Sequence, residues 1–184
     1  MDELVAAARG GDRRALEALF ERALTPVYRY VAFKLGTNST DVEDVVQETF
    51  IGAMGSISRL RGDDEAALMS WLMSIARFKV ADHLRARYNR PTDSLDDDTR
   101  PEVGDSADVE GVVIQSTQDQ LLRDAIHGLT PEQEEVVTLR FLMGYEIEQV
   151  AGIVGRTEGA VKALQHRALA TLRRRLDEDI RAWA

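Results

Sequence analysis

The chain holds 184 residues, 44% hydrophobic and 30% charged, with a formal net charge of −9 and a mean hydropathy of −0.27; this is a globular composition, enough for one domain or two small ones at roughly 100 to 200 residues each. With no cysteine, disulfide frameworks, thiolate metal sites and cysteine nucleophiles are excluded, and His83, His127 and His166 lie too far apart to suggest a local ligand pair. No apolar run approaches the roughly 18 residues of a membrane helix, and Met1-Asp2-Glu3 opens acidic where a secretory signal would open basic, so a soluble cytoplasmic protein without membrane insertion is expected.

From the amino terminus, Gly10-Gly11 marks a break between helices. Asp12 can cap a helix carrying Ala15, Leu16, Leu19, Phe20 and Ala23 at helical spacing, and Thr25-Pro26 reads as the cap and first turn of the next, which runs through Val27, Tyr28 and Val31 to stop near Gly36. Thr40-Asp41-Val42-Glu43 matches the capping box and predicts a third helix from about Asp41. Its apolar face is Val42, Val45, Val46, Thr49 and Phe50; Asp41, Asp44, Gln47 and Glu48 make an acidic face, suited to a basic helical partner or simply solvated. After a loop at Gly62-Asp63-Asp64, Leu68, Leu72, Ile75, Ala76, Val80 and Leu84 fall on one face of a long fourth helix ending near Tyr88. A second stripe on it carries Trp71, Ser74, Phe78 and Arg85, flanked by Arg77, Lys79 and Arg87. Rings interleaved with cations suit unpaired nucleotides, which stack while the bases of the protein follow the backbone; the alternative is that Trp71 and Phe78 pack against a neighbouring helix.

The span 91–118 has no sustained period, two prolines and almost no large apolar residue before Val112. It carries eight acids against the single base Arg100 and reads as an acidic linker. The fold expected is therefore all-α, two small helical domains over residues 1–90 and 119–184 joined by that flexible tether.

In the second half, Thr130-Pro131-Glu132-Gln133 is again a capping box with proline in the first turn, opening a helix that ends at Gly144. Ile147, Val150, Ala151 and Val154 give a short helix, Gly155 a turn residue, and Thr157 a cap for a final helix with Val161, Leu164, Ala168 and Leu172 inward. A short helix, a tight turn and a longer basic helix make a helix-turn-helix pattern. Glu158, Lys162, Gln165 and His166 fall near the amino-terminal end, where a recognition helix meets base edges, while Arg156, Arg167 and Arg173-Arg174-Arg175 suit phosphates. A helical hairpin with a solvated basic tail is the alternative. The net charge is acidic, but it is sorted by segment: from Arg156 to Arg175 there are six bases against one acid, and a polyanion meets that local field. No local spacing suggests catalysis, and no cofactor is expected.

Together these segments resemble the group IV, or extracytoplasmic-function (ECF), sigma factors of bacterial RNA polymerase. The span from Asp41 to Phe50, DVEDVVQETF, resembles region 2 of that family. Trp71 to Arg77, followed by Asp82 and Arg85, resembles its promoter-melting helix, and Leu129-Thr130-Pro131 through Arg175 its region 4. The order is that of the family, with the acidic span where the inter-domain linker lies. The resemblance implies a non-catalytic subunit that binds core polymerase and directs promoter recognition and melting. Asp41, Glu43, Asp44, Gln47 and Glu48 would grip the clamp helices of the largest subunit. Trp71, Arg77, Phe78, Lys79 and Arg85 would hold the minus-ten element and capture an unstacked base. Arg156, Thr157, Glu158, Lys162, Gln165, His166 and Arg167 would meet the minus-thirty-five element in promoter DNA. The tether would follow the polymerase toward its RNA exit path.

Two departures bear on specificity. Many members have Asn where this chain has Phe78, and a Ser-Arg pair where it has Ala163-Leu164, so the role carries over and the preferred promoter sequence does not. With region 4 close to the last residue, no extra carboxy-terminal domain of the kind some relatives use for self-regulation is expected, and a separate anti-sigma factor is the regulator expected. Two rivals remain at this stage: a stand-alone regulator with a LuxR-like helix-turn-helix, and an all-helical adaptor that never touches nucleic acid.

Overall fold

The computed structural model describes residues 2–36, 40–88 and 117–182. Among these every regular element is helical, and the chain divides into two compact units, residues 1–107 and 108–184. Residues 91–116 of the expected linker lie outside the described residues; Thr117 and Gln118, counted with the linker from sequence, belong to a helix.

The first unit is built from α1 (Asp2–Arg9), α2 (Arg13–Leu35), α3 (Asp41–Met54) and α4 (Glu65–Tyr88), with a single 3₁₀ turn at Ile57–Arg59. Asp12 caps α2 as its sequence suggests, its carboxylate accepting from the Arg14 and Ala15 amides. The helix does not restart at Thr25-Pro26: α2 runs through Pro26 without interruption. The apolar stripe Leu19, Ala23, Val27, Tyr30 and Val31 is buried along its whole length, and that packing outweighs the single backbone hydrogen bond that proline removes. The Thr40 capping box does not form either. Thr40 already has helical dihedrals, φ −55° and ψ −24°, and its side chain makes no cap bond, because capping requires an extended cap residue. Asp41, Glu43 and Asp44 in the first turn instead complement the positive end of the helix.

Val5, Ala8, Leu19, Ala23, Ala53, Leu68 and Leu72 form a shared core, with Phe20 and Phe50 tilted against each other at 4.9 Å between centroids. Arg9, at the end of α1, ties down the loop before α4. It donates to the Leu60 carbonyl at 2.7 Å and the Gly62 carbonyl at 2.5 Å, and pairs with Asp63 at 2.6 Å. On α4, Leu68, Leu72, Ala76 and Val80 are buried as expected and Met73 joins them, but Leu84 is partly exposed. His83 meets Asp41, the first residue of α3, so α4 past that point has outrun the helix it packs on.

The second unit comprises α5 (Thr117–His127), α6 (Pro131–Val137), α7 (Ile147–Val154) and α8 (Glu158–Ala182). The Thr130 capping box is present with Gln133 as its partner. The helix continues past Val137 as a π turn, Thr138–Leu142, and stops at Gly144, whose φ of +77° favours glycine. Arg140 fastens the following turn by donating to the Tyr145 carbonyl at 2.5 Å. Val136, Leu139, Val150, Ile153, Val161, Leu164, Ala168 and Leu172 are buried together.

Candidate polymerase-binding and DNA-binding surfaces

The α3 surface follows from helical geometry. With Val42, Val45, Val46 and Thr49 buried, residues 44, 47, 48 and 51 come up on the opposite side at i, i+3, i+4 and i+7. Asp44, Gln47 and Glu48 are exposed there, with Glu43 beside them and Asp41 half-buried. Thr49 is accommodated in the core because its hydroxyl donates to the Val45 carbonyl at 2.8 Å. The sequence reading missed the apolar end of this face: Ile51 is 67% exposed and Met54 56%. Their positions seven and ten residues after Asp44 carried the signal. A face that is acidic toward its start and apolar toward its end fits a partner offering cations and an apolar contact.

Two of the acids on this helix are bound to α4. Glu48 Oε2 accepts from Lys79 at 3.1 Å, and Asp41 Oδ2 lies 3.2 Å from His83 Nε2. Lys79 is thereby turned toward α3. Of the other residues on the aromatic and basic stripe, Trp71 is half-buried and packs on the core, which makes it a packing residue as well as a stripe member. Phe78 is 58% exposed. Arg77 is half-buried, and Arg85 is exposed and pairs with Asp82 at 2.6 Å. The structure therefore leaves Phe78 and Arg85 presented on α4.

In the second unit the turn between α7 and α8 is sharp because Gly155 takes φ +67° and ψ +38°, a left-handed conformation that costs glycine nothing. The Arg156 amide then donates to the Ala151 carbonyl at 3.0 Å, and Thr157 Oγ1 accepts from the Ala160 amide at 3.3 Å to cap α8. Glu158, Lys162, Ala163, His166 and Arg167 are exposed beyond that cap. Gln165 is half-buried, with an enclosed Oε1. Lys162 pairs with Glu158 at 3.3 Å, and Arg156 pairs with Glu132 at the start of α6. Arg173 and Arg174 are exposed, but the Arg175 guanidinium occupies the space a side chain on Gly128 would fill. Arg175 is thus a packing residue within the arginine run. Among the described residues no helix is long and apolar enough to cross a membrane.

Comparison with known proteins gives these surfaces a family. Residues 19–90 match the model for Sigma-70 region 2, and residues 125–174 match that for Sigma-70, region 4. The ECF RNA polymerase sigma factor BldN of Streptomyces coelicolor is 38% identical over 98% of this chain and 67% of its own length. SigD of Mycobacterium tuberculosis, also an ECF RNA polymerase sigma factor, is 32% identical over 94% of this chain and 82% of its own. The structure of CnrH, solved in complex with the cytosolic domain of CnrY, superposes with a TM-score of 0.67 at 25% identity, covering 97% of both chains. A region 2 match across the first half does not favour a LuxR-like regulator, which shares only the helix-turn-helix. The chain belongs to the sigma-70 family as an ECF sigma factor, a non-catalytic subunit that directs RNA polymerase to promoters.

Proposed function

We propose that this sigma factor divides its work between its helices. The exposed face of α3, with Asp44, Gln47 and Glu48 extended by Glu43, Ile51 and Met54, receives the clamp helices of the largest polymerase subunit. Phe78, Arg77 and Arg85 of α4 engage the minus-ten element, Phe78 stacking on an unpaired base and the arginines following the backbone. Lys162, Gln165 and His166 of α8 read the minus-thirty-five element, with Arg156 and Arg167 on phosphates. Residues 1–90 thus serve as the polymerase and minus-ten domain and 119–184 as the minus-thirty-five domain, with the acidic span from 91 as the tether, its last two residues, Thr117 and Gln118, already within α5. The setting is the cytoplasm, where polymerase and promoters meet. A separate protein regulator of the anti-sigma kind belongs to this reading, and the similar CnrH, solved with the cytosolic domain of CnrY, supports it.

The observation that carries the assignment is the exposed stripe at 44, 47, 48 and 51, standing opposite a buried valine face on the same helix. The experiment is run-off transcription with purified core polymerase on fragmented DNA from the source genome. Discrete starts sharing two spaced motifs are expected; a pattern identical to core enzyme alone would refute the reading.

A further inference from the structure

Lys79 lies between two surfaces that face different partners, and its side chain is committed to one of them. Its ammonium donates to Glu48 Oε2 at 3.1 Å. Its stem is seated as well: a β-carbon on Gly52 of α3 would lie 3.9 Å from Lys79 Cε and 3.5 Å from Ile75 Cγ2. A side chain at position 52 would therefore meet the lysine stem where it approaches α3, and glycine leaves that space open. The Lys79 side chain is 29% exposed, while that of Glu48 keeps 60%. One turn along α4, His83 approaches Asp41 in the same way, at 3.2 Å. Sequence spacing alone places Lys79 beside the aromatic stripe; its contacts place it with the acids of α3.

We propose that Lys79 is a positioning residue of the polymerase-binding face, not a ligand of promoter DNA, and that it holds the Glu48 carboxylate where a basic partner approaches. This rests on the assignment of α3 to core polymerase made above. An unrestrained glutamate loses rotamer freedom when a partner fixes it, and ordering it beforehand removes that cost from binding. Lys79 engages Oε2 only, and a carboxylate has about four lone-pair sites, so Oε1 is left for the partner. The sign of the effect separates orientation from simple charge. Removing Lys79 makes the face more acidic, which by attraction alone would tighten binding to a basic partner; loss of orientation weakens it.

The test measures the affinity of the full chain for core polymerase and promoter opening by holoenzyme at saturating core. For Lys79→Met, core affinity is expected to fall by up to about fivefold, the upper end for an exposed pair, with opening at saturation unchanged. Lys79→Arg restores the affinity. In a Glu48→Gln background the Lys79→Met loss disappears, which a general effect on folding would not produce. Unchanged or tighter core binding by Lys79→Met overturns the proposal, and so does impaired opening at saturating core, which would return Lys79 to the DNA surface. Failure of the unsubstituted chain to bind core would overturn the assignment of α3 itself.

Discussion

Tyr145 sits buried at the turn between the π turn and α7, and burial pushes its phenol up from 10.0 to about 12. Folding therefore favours the protonated ring. Its contribution to stability is complete below pH 10, the value of an unfolded tyrosine, and is lost as pH rises toward 12. Denaturant midpoints at pH 8 and pH 11 should show a smaller alkaline fall for Tyr145→Phe than for the parent chain; equal falls would mean that Tyr145 does not titrate as its burial implies. Other single residues have equally local causes. Gly155 permits the helix-turn-helix bend through its positive φ, and Gly128 makes room for the Arg175 guanidinium. Phe78 stays exposed; in the role proposed for it, its ring would offer a stacked base no hydrogen-bond readout and so would favour stacking over base identity.

At the scale of the element, α2 records a contest between local signal and packing. Thr25-Pro26 is a sound start signal in isolation, yet the stripe on either side of it faces one continuous core, and the helix runs through. Proline in a helix interior costs about 3 kcal/mol relative to alanine, partly offset because it also restricts the unfolded chain. Pro26→Ala should raise stability by about 2 kcal/mol, read as a higher urea midpoint. A lower midpoint would mean that the second half of α2 depends on proline as its start. The same contrast decides what was legible beforehand. Helices with a strong apolar period and a cap able to adopt extended dihedrals, α6 and α8 among them, stand where their sequence put them. Thr40 misled because the capping pattern does not report backbone dihedrals. Spacing gives the side of a helix a residue occupies and not its contacts: Trp71 packs on the core, the alternative its sequence left open, and Lys79 reaches Glu48. Ile51 and Met54 were overlooked because apolar residues are expected inside, although their spacing from Asp44 put them on the exposed face.

At the scale of the whole molecule, a net charge of −9 is compatible with DNA binding because charge is partitioned along the chain. The span 91–118 carries eight acids against one base, and Arg156 to Arg175 six bases against one acid. Acids of α3 and cations of α8 belong to separate compact units, so each can meet a partner of opposite charge. Partition predicts that the two activities are separable by substitution. The most direct measurement pairs core-polymerase affinity with promoter affinity of the assembled holoenzyme for two variants, Asp44→Arg and Lys162→Ala/His166→Ala. Asp44→Arg should remain folded and lose core binding at least about tenfold, by setting a cation against a basic partner. The α8 variant should bind core normally while the holoenzyme loses about tenfold or more in promoter affinity. Wild-type co-elution of Asp44→Arg with core polymerase, or loss of core binding by the α8 variant, would contradict the account.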